Sequence, residues 1–145
     1  VQTIVSHKHK LVGVPLDDAA AATAVGNLFP AAKTHNFEGT NYALVPHSET
    51  ETFLLRQLGF AVPAPILTQY TYPNTLFQQP FEVQKNTTAL LTMAQRAYVL
   101  NGMGTGKTKC AIWAFDYLKA HQRATRMLVV CPRSTMTFTW VREIF

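Results

Sequence analysis

The sequence predicts an α/β chain in two parts. A small α/β unit covers residues 1–62, and the first part of a parallel sheet layered with helices covers residues 81–145. Three observations carry this. The apolar run Ala97–Leu100 passes through a glycine-rich turn into a stretch of helical periodicity, Lys109–His121. A second run, Met127-Leu128-Val129-Val130-Cys131, is apolar throughout, as a strand buried on both faces would be. Ahead of both, short apolar runs alternate with helical stretches that carry start and stop signals.

Taken in order, Thr3–Val5 and Leu11–Val14 read as strands around the turn Ser6-His7-Lys8-His9-Lys10. That H-K-H-K run reads as a solvated hairpin tip in preference to a metal or phosphate patch. Asp17 and Asp18 precede the alanine-rich run Ala19–Leu28, an acidic helix start, and Pro30 closes it. Residues 31–39 are polar and loop-like, and Asn41–Val45 is the next strand. Ser48 and Glu51 have capping-box spacing, in which Ser48 accepts from the Glu51 N–H. Phe53, Leu54, Gln57 and Leu58 follow at helical spacing, with Gly59 as the C-terminal cap.

Residues 63–80 form a connector stiffened by Pro63, Pro65, Pro73 and Pro80. Its aromatics Tyr70, Tyr72 and Phe77 are placed to pack against the domain that follows. A helix then runs from Phe81 to about Gln95 with an apolar stripe at Leu90, Met93 and Ala94. The helix after the glycine-rich turn presents Ala111, Ala114, Phe115 and Leu118, with Ile112 beside them. Pro132 ends the second apolar run, and Thr135–Phe145 reads as a helix with Phe138, Val141 and Phe145 on one side.

Hydrophobic residues make up 48% of the 145 and charged residues 14%, the composition of a globular chain and not of a disordered tail. No apolar run approaches the ~20 residues of a membrane span, so no membrane partner is expected. No secretory signal pattern opens the sequence. Cys110 and Cys131 read as reduced buried cysteines, and an intracellular, cytoplasmic setting follows as the expectation. The net charge of +5 is uneven. Residues 1–95 hold five basic and six acidic side chains, whereas residues 96–145 hold eight basic and two acidic. The basic part suits a polyanion.

The turn itself reads Asn101-Gly102-Met103-Gly104-Thr105-Gly106-Lys107-Thr108. It departs from the phosphate-loop pattern G-x-x-x-x-G-K-[ST] only at Asn101. In such a loop, backbone amides and the helix dipole hold phosphate oxygens. Lys107 would reach the β/γ phosphates, and the Thr108 hydroxyl would ligate Mg²⁺. The candidate nucleotide contacts are Gly102, Met103, Gly104, Thr105, Gly106, Lys107 and Thr108, with Lys107 and Thr108 as the catalytic pair. ATP and Mg²⁺ are the expected cofactors. Strand, loop, helix, strand, helix is the opening of a doubly wound nucleotide-binding sheet.

These residues resemble a known family. Met103–Thr108 is similar to motif I of superfamily 2 helicases, closest to the Swi/Snf-type ATPases, whose loop reads D-E-M-G-x-G-K-T. Asn101-Gly102 stand in for the D-E. Leu128-Val129-Val130-Cys131-Pro132-Arg133-Ser134 resembles motif Ia. Trp140, Glu143 and Phe145 resemble the W-x-x-E-F pattern that follows it, with Ile144 as an extra residue. Gln84, 23 residues before Lys107, stands where the family carries its adenine-reading glutamine. The likeness covers residues 63–145. Residues 42–65, ending in Leu58-Gly59-Phe60-Ala61-Val62-Pro63, resemble more weakly the small domain ahead of the helicase core in phage and bacterial DEAD/DEAH-like members.

The resemblance implies an incomplete RecA-like ATP-binding domain over residues 81–145, with Gln84 on adenine. It implies that Pro132, Arg133, Ser134 and Thr135 meet a DNA or RNA backbone. For residues 1–62 the expectation is an accessory role in recognising branched or duplex DNA. Hydrolysis needs an acidic pair on Mg²⁺ and water, and after Thr108 the carboxylates are Asp116 and Glu143, isolated in helical stretches. The chain is therefore expected to be the N-terminal part of an ATP-dependent DNA helicase or translocase, inactive by itself in hydrolysis. The remainder of the motor, with its second RecA-like domain, is its expected partner in a prokaryotic or phage-infected cell. A non-hydrolysing P-loop module that binds nucleotide, DNA or a protein is the alternative, and a small-molecule kinase is disfavoured.

Overall fold

The computed structural model describes residues 2–73 and 79–144. The fold is mixed α/β, and it divides into two compact units, residues 1–69 and 70–145.

In the first unit, β1 (Ile4–Ser6), β2 (Leu11–Pro15), β4 (Thr40–Pro46) and β3 (Lys33–Phe37) form one antiparallel sheet in the order β1-β2-β4-β3. Helices α1 (Ala19–Leu28) and α2 (Glu49–Gln57) cover one face. The two-residue period of each strand places Val12, Val14, Ala43 and Val45 on that face, where they pack with Val25 and Leu55. The register Val12↔Val45 and Val14↔Ala43 aligns these residues across the two central strands.

Local signals set the helix ends. The Asp18 carboxylate accepts from the Ala20 amide at 3.1 Å and caps α1. Gly59 is left-handed at φ 89°, and the Phe60 amide reaches the Leu55 carbonyl at 3.0 Å, a Schellman close to α2. The expected capping box at Ser48 does not form. Ser48 hydroxyl bonds to the Glu51 carboxylate instead, so the two side chains satisfy each other and no side chain caps the helix.

Residues 33–37, expected as loop, are strand β3. Nothing in Lys33-Thr34-His35-Asn36-Phe37 alternates in hydropathy, because the whole strand is exposed at the sheet edge. The hairpin turn makes it a strand. Glu38 and Gly39 both have positive φ, 50° and 83°, and return the chain with Phe37 opposite Thr40.

The connector does not stand free. Val62, Ala64 and Ile66 are buried, and α3 (Ile66–Gln69) closes the first unit. Gln69 donates to the His47 carbonyl at 2.6 Å, and His47 Nε2 donates to the Pro63 carbonyl at 2.9 Å.

In the second unit, α4 (Glu82–Met93) packs on α5 (Lys107–Ala120). The buried face of α4 is not the expected stripe. Leu90 is exposed, and Gln84, Thr87, Thr88, Ala89 and Thr92 are inside. Each threonine hydroxyl donates to a carbonyl of its own helix: Thr87 to Val83, Thr88 to Gln84 and Thr92 to Ala89, at 2.7, 2.7 and 3.0 Å. That removes the penalty for burying a hydroxyl. On α5 the most buried positions are Cys110, Ala114 and Tyr117, one residue off the expected Ala111 and Leu118 register.

The aromatics of the connector's second half lie against α5. Tyr70 meets Tyr117 edge-on at 6.1 Å, Tyr72 meets Trp113 at 5.2 Å, and the Tyr70 hydroxyl donates to Asp116 at 2.9 Å. Phe77 lies outside the described residues.

Neither expected parallel strand has a ladder partner among the described residues. Residues 97–100 and 127–131 belong to no helix or strand. Their exposure alternates: Tyr98, Leu100, Leu128 and Val130 are 92%, 91%, 89% and 90% exposed, while Val99, Met127, Val129 and Cys131 are half-covered. A strand exists through its neighbour's hydrogen bonds, so β propensity alone does not form one. After Pro132 the chain is helical, with α6 (Arg133–Thr135), a π-helical turn (Met136–Val141) and α7 (Arg142–Ile144). Phe138 and Val141 are exposed there, and Thr135, Thr139 and Trp140 are the partly covered positions. Phe145 lies outside the described residues.

Candidate functional site

The glycine-rich turn enters α5 through two left-handed glycines, Gly104 at φ 75° and Gly106 at φ 77°. A Cβ is disfavoured at both. Gly106 has a second constraint, because a Cβ there would collide with the Gln84 amide nitrogen. Helix α5 starts at Lys107, and the Cys110 amide makes its first bond, to the Gly106 carbonyl at 3.1 Å. No side chain caps this helix end, which is the positive pole of a helix of 14 residues.

Lys107 bends back over the loop. Its Nζ donates to the Asn101 carbonyl at 2.9 Å and to the Gly102 carbonyl at 2.7 Å. Thr105 hydroxyl donates to the Gly102 carbonyl at 2.9 Å, closing the turn on itself. The lysine ammonium is thus held over the turn by two backbone carbonyls.

Gln84 sits on the same loop. Its Nε2 donates to the Thr105 carbonyl at 3.0 Å and its Oε1 accepts from the Phe81 amide at 3.0 Å. Both ends of the amide are used by protein, so the side chain ties the start of α4 to the glycine-rich turn. The sequence placed Gln84 near the loop but did not reveal this bridge.

Asn101, the one departure from the strict loop pattern, has a defined place. Its Nδ2 donates to the Thr87 hydroxyl at 2.7 Å, and that hydroxyl donates onward to Val83. Glycine at position 101 could not make this link. Asn101 and Gln84 together fasten the two ends of the loop to α4.

A cleft of about 700 Å³ opens over the loop, lined by Met103, Gly104, Gly106, Lys107 and Thr108. Thr135, Thr139 and Glu143 line its far wall. Glu143, read from sequence as isolated, pairs with Lys109 at 3.7 Å. Phe81 and Gln84 also border a second cleft of about 530 Å³, walled by Tyr70, Trp113 and Asp116. Gln84 therefore stands where the two hollows meet. Met103 and Gly102 are exposed, and Thr105, Gly106, Lys107 and Thr108 are half-buried.

Pro132, Arg133 and Ser134 are exposed at the start of the last helical run, and Thr135 caps its own turn by donating to the Pro132 carbonyl at 2.9 Å. Of these four, the structure brings only Thr135 into the cleft over the loop. Cys110 is buried beneath it, and burial pushes its thiol up from the ordinary range, against the pull of Thr88 and Lys107. That keeps it a neutral packing residue. Burial, with the bond to Asp116, likewise raises the Tyr70 phenol.

No group of three or more His, Cys, Asp or Glu side chains among the described residues is arranged to hold a metal. Thr108, the residue expected to meet Mg²⁺, is half-buried at the second position of α5. Among the described residues no helix is long and apolar enough to cross a membrane. No family model, curated protein or solved structure matches this chain.

Proposed function

We propose that this chain binds ATP with Mg²⁺ through Gly102–Thr108, within an ATP-dependent DNA helicase or translocase. The observation that carries the reading is the loop itself. Two left-handed glycines lead into a helix that starts on Lys107-Thr108, and the Lys107 ammonium is poised over the turn. Thr108 would hold Mg²⁺, whose charge would offset that of the phosphates, and the helix dipole would add to the field. Gln84, between the two hollows, is the residue to meet adenine if its amide turns from Thr105. Pro132, Arg133, Ser134 and Thr135 are the proposed nucleic-acid track, where amides, hydroxyls and one guanidinium grip a backbone without reading sequence.

The same proposal gives the two apolar segments their role. Residues 97–100 and 127–131 become neighbouring strands of a parallel RecA-like sheet once further strands pair with them. The bare apolar faces at Tyr98, Leu100, Leu128 and Val130 support that reading, because an isolated chain gains nothing from exposing them. The same faces favour a second reading, a P-loop module completed by a separate protein.

The test is nucleotide binding followed by a fluorescent ATP analogue with and without Mg²⁺. Binding that Lys107→Ala reduces at least tenfold is the expected result. A Lys107→Ala chain that binds as well as the parent ends the reading. In a longer chain that carries the rest of a motor, DNA-stimulated ATP hydrolysis should vanish with the same substitution.

A further inference from the structure

The first unit has a second sheet face that α1 and α2 do not cover. The two-residue period assigns it. Ile4, Gly13, Leu44 and Lys33 form one row across all four strands, and Pro15, Tyr42 and His35 form a row on the same face. Phe37 continues it along β3 and is 50% exposed. A shallow hollow of about 220 Å³ lies here, floored by the partly exposed Ile4, Leu11 and Leu44 over the buried Gly13 and Tyr42, with His9, His35 and Phe37 at its edge. Gly13 makes room for it, since a Cβ at that position would stand 3.4 Å from the Tyr42 ring.

Charge is sorted between the two layers. Asp17, Asp18, Glu49 and Glu51 stand at the starts of α1 and α2. The strands and hairpins hold Lys8, Lys10 and Lys33, all exposed, against Glu38 alone. Lys10 is moreover left-handed at φ 51°, a backbone that glycine or asparagine adopts more readily. His9 and His35 are exposed between the lysines and the apolar floor.

We infer that this open face binds single-stranded nucleic acid. Unpaired bases would lie on the apolar floor and stack on Phe37 and His35, which stand two residues apart on β3, about 7 Å. The phosphates would run along Lys33 and the Lys8–Lys10 hairpin. An exposed aromatic beside an apolar hollow, rimmed by cations, matches a strand whose bases are free and whose backbone is anionic. A paired duplex keeps its bases inside and does not fit the floor. The inference rests on the first unit alone and stands whether or not the Gly102–Thr108 loop takes ATP.

The experiment uses the whole chain and a 20-nucleotide oligothymidine carrying iododeoxyuridine, with a duplex of the same length as competitor. Phe37→Ala should weaken strand binding about tenfold. Lys33→Glu should weaken it and lower the salt dependence by about one ion. Both positions are exposed on the edge strand, so circular dichroism of the two variants should match the parent. Binding of the fluorescent ATP analogue should be unchanged in both. Photocrosslinks should map to residues 33–44. Crosslinks confined to residues 132–135, or equal affinity of parent, Phe37→Ala and Lys33→Glu, overturn the inference. So does a dimer that Phe37→Ala dissociates while strand binding is absent, because the face would then join two copies.

Discussion

The two units solve the same problem in opposite ways. Each has apolar segments that need hydrogen-bond partners and a covered face. In the first unit the partners are close in sequence. Hairpins join β1 to β2 and β3 to β4, and β2 pairs β4 over five consecutive residues. In the second unit, residues 97–100 and 127–131 have no ladder among the described residues. Antiparallel sheets close with short turns, whereas parallel strands depend on crossovers and on several neighbours at once. The difference teaches where order comes from. The first unit holds its sheet by local return of the chain, and the second holds its loop by side chains from α4.

The largest expected effect probes the first unit's core. Leu55 is fully buried against Val12, Val14 and Val45. Leu55→Ala should cost about 2–5 kcal/mol. Trp113 and Trp140 both lie in the second unit. Urea unfolding read by circular dichroism should therefore shift strongly while the tryptophan signal moves little. A common shift of both signals would show that the units unfold together and would break the comparison.

Next comes the loop. Gly106→Ala adds a Cβ at φ 77° and displaces Gln84, whereas Gly104→Ala at φ 75° meets open space. Both should destabilise, Gly106→Ala by about 2 kcal/mol and Gly104→Ala by less. Tryptophan-monitored unfolding measures the order, and equal losses would show that the Gln84 bridge does not matter.

A smaller effect is expected at Asn101. Asn101→Gly restores the strict loop pattern yet removes the bond to Thr87, so it should cost about 1 kcal/mol. Thr87→Val should cost a similar amount, and the double variant less than their sum. Additive losses would mean that the two residues act separately.

The smallest effect is in pH. His47 is buried in the first unit, and that burial lowers its pKa from 6.5; the Pro63 carbonyl and Glu49 oppose the shift, and His7 and Arg56 add to it. The folded state therefore keeps this imidazole neutral at a pH where the unfolded chain binds a proton. Its contribution is complete above pH 6.5 and is lost as pH falls from there through the lower folded value. Urea midpoints by circular dichroism at pH 7.5 and 5.5 should differ in that direction, and His47→Gln should reduce the difference. An unchanged difference would assign the pH dependence to the carboxylates.

What was legible in the sequence had its cause within a few residues. Asp18 and Gly59 mark helix ends through bonds that span one turn, and both stand where they were expected. The turn at Gly104 and Gly106 is equally local, although the helix after it starts at Lys107, two residues before the expected Lys109. The connector tyrosines packed on α5, as their spacing among prolines implied. The failures were non-local. β3 is a strand because β4 pairs with it, although its own five residues are polar and exposed. The threonine face of α4 was invisible to hydropathy, because a threonine that bonds its own helix can be buried like an apolar residue.

By itself, then, the sequence determined the phosphate-loop pattern, the approximate placing of the longer helices and the uneven charge, since each follows from local backbone preference or from composition. Tertiary structure decided the rest. It turned Asn101 from a departure into an anchor on Thr87, and set Gln84 across the loop to Thr105. It also left a cationic, half-apolar sheet face open in the first unit. These outcomes depend on which distant side chains and strands meet, and pairings between residues 14 to 35 positions apart are not written in any window of the chain.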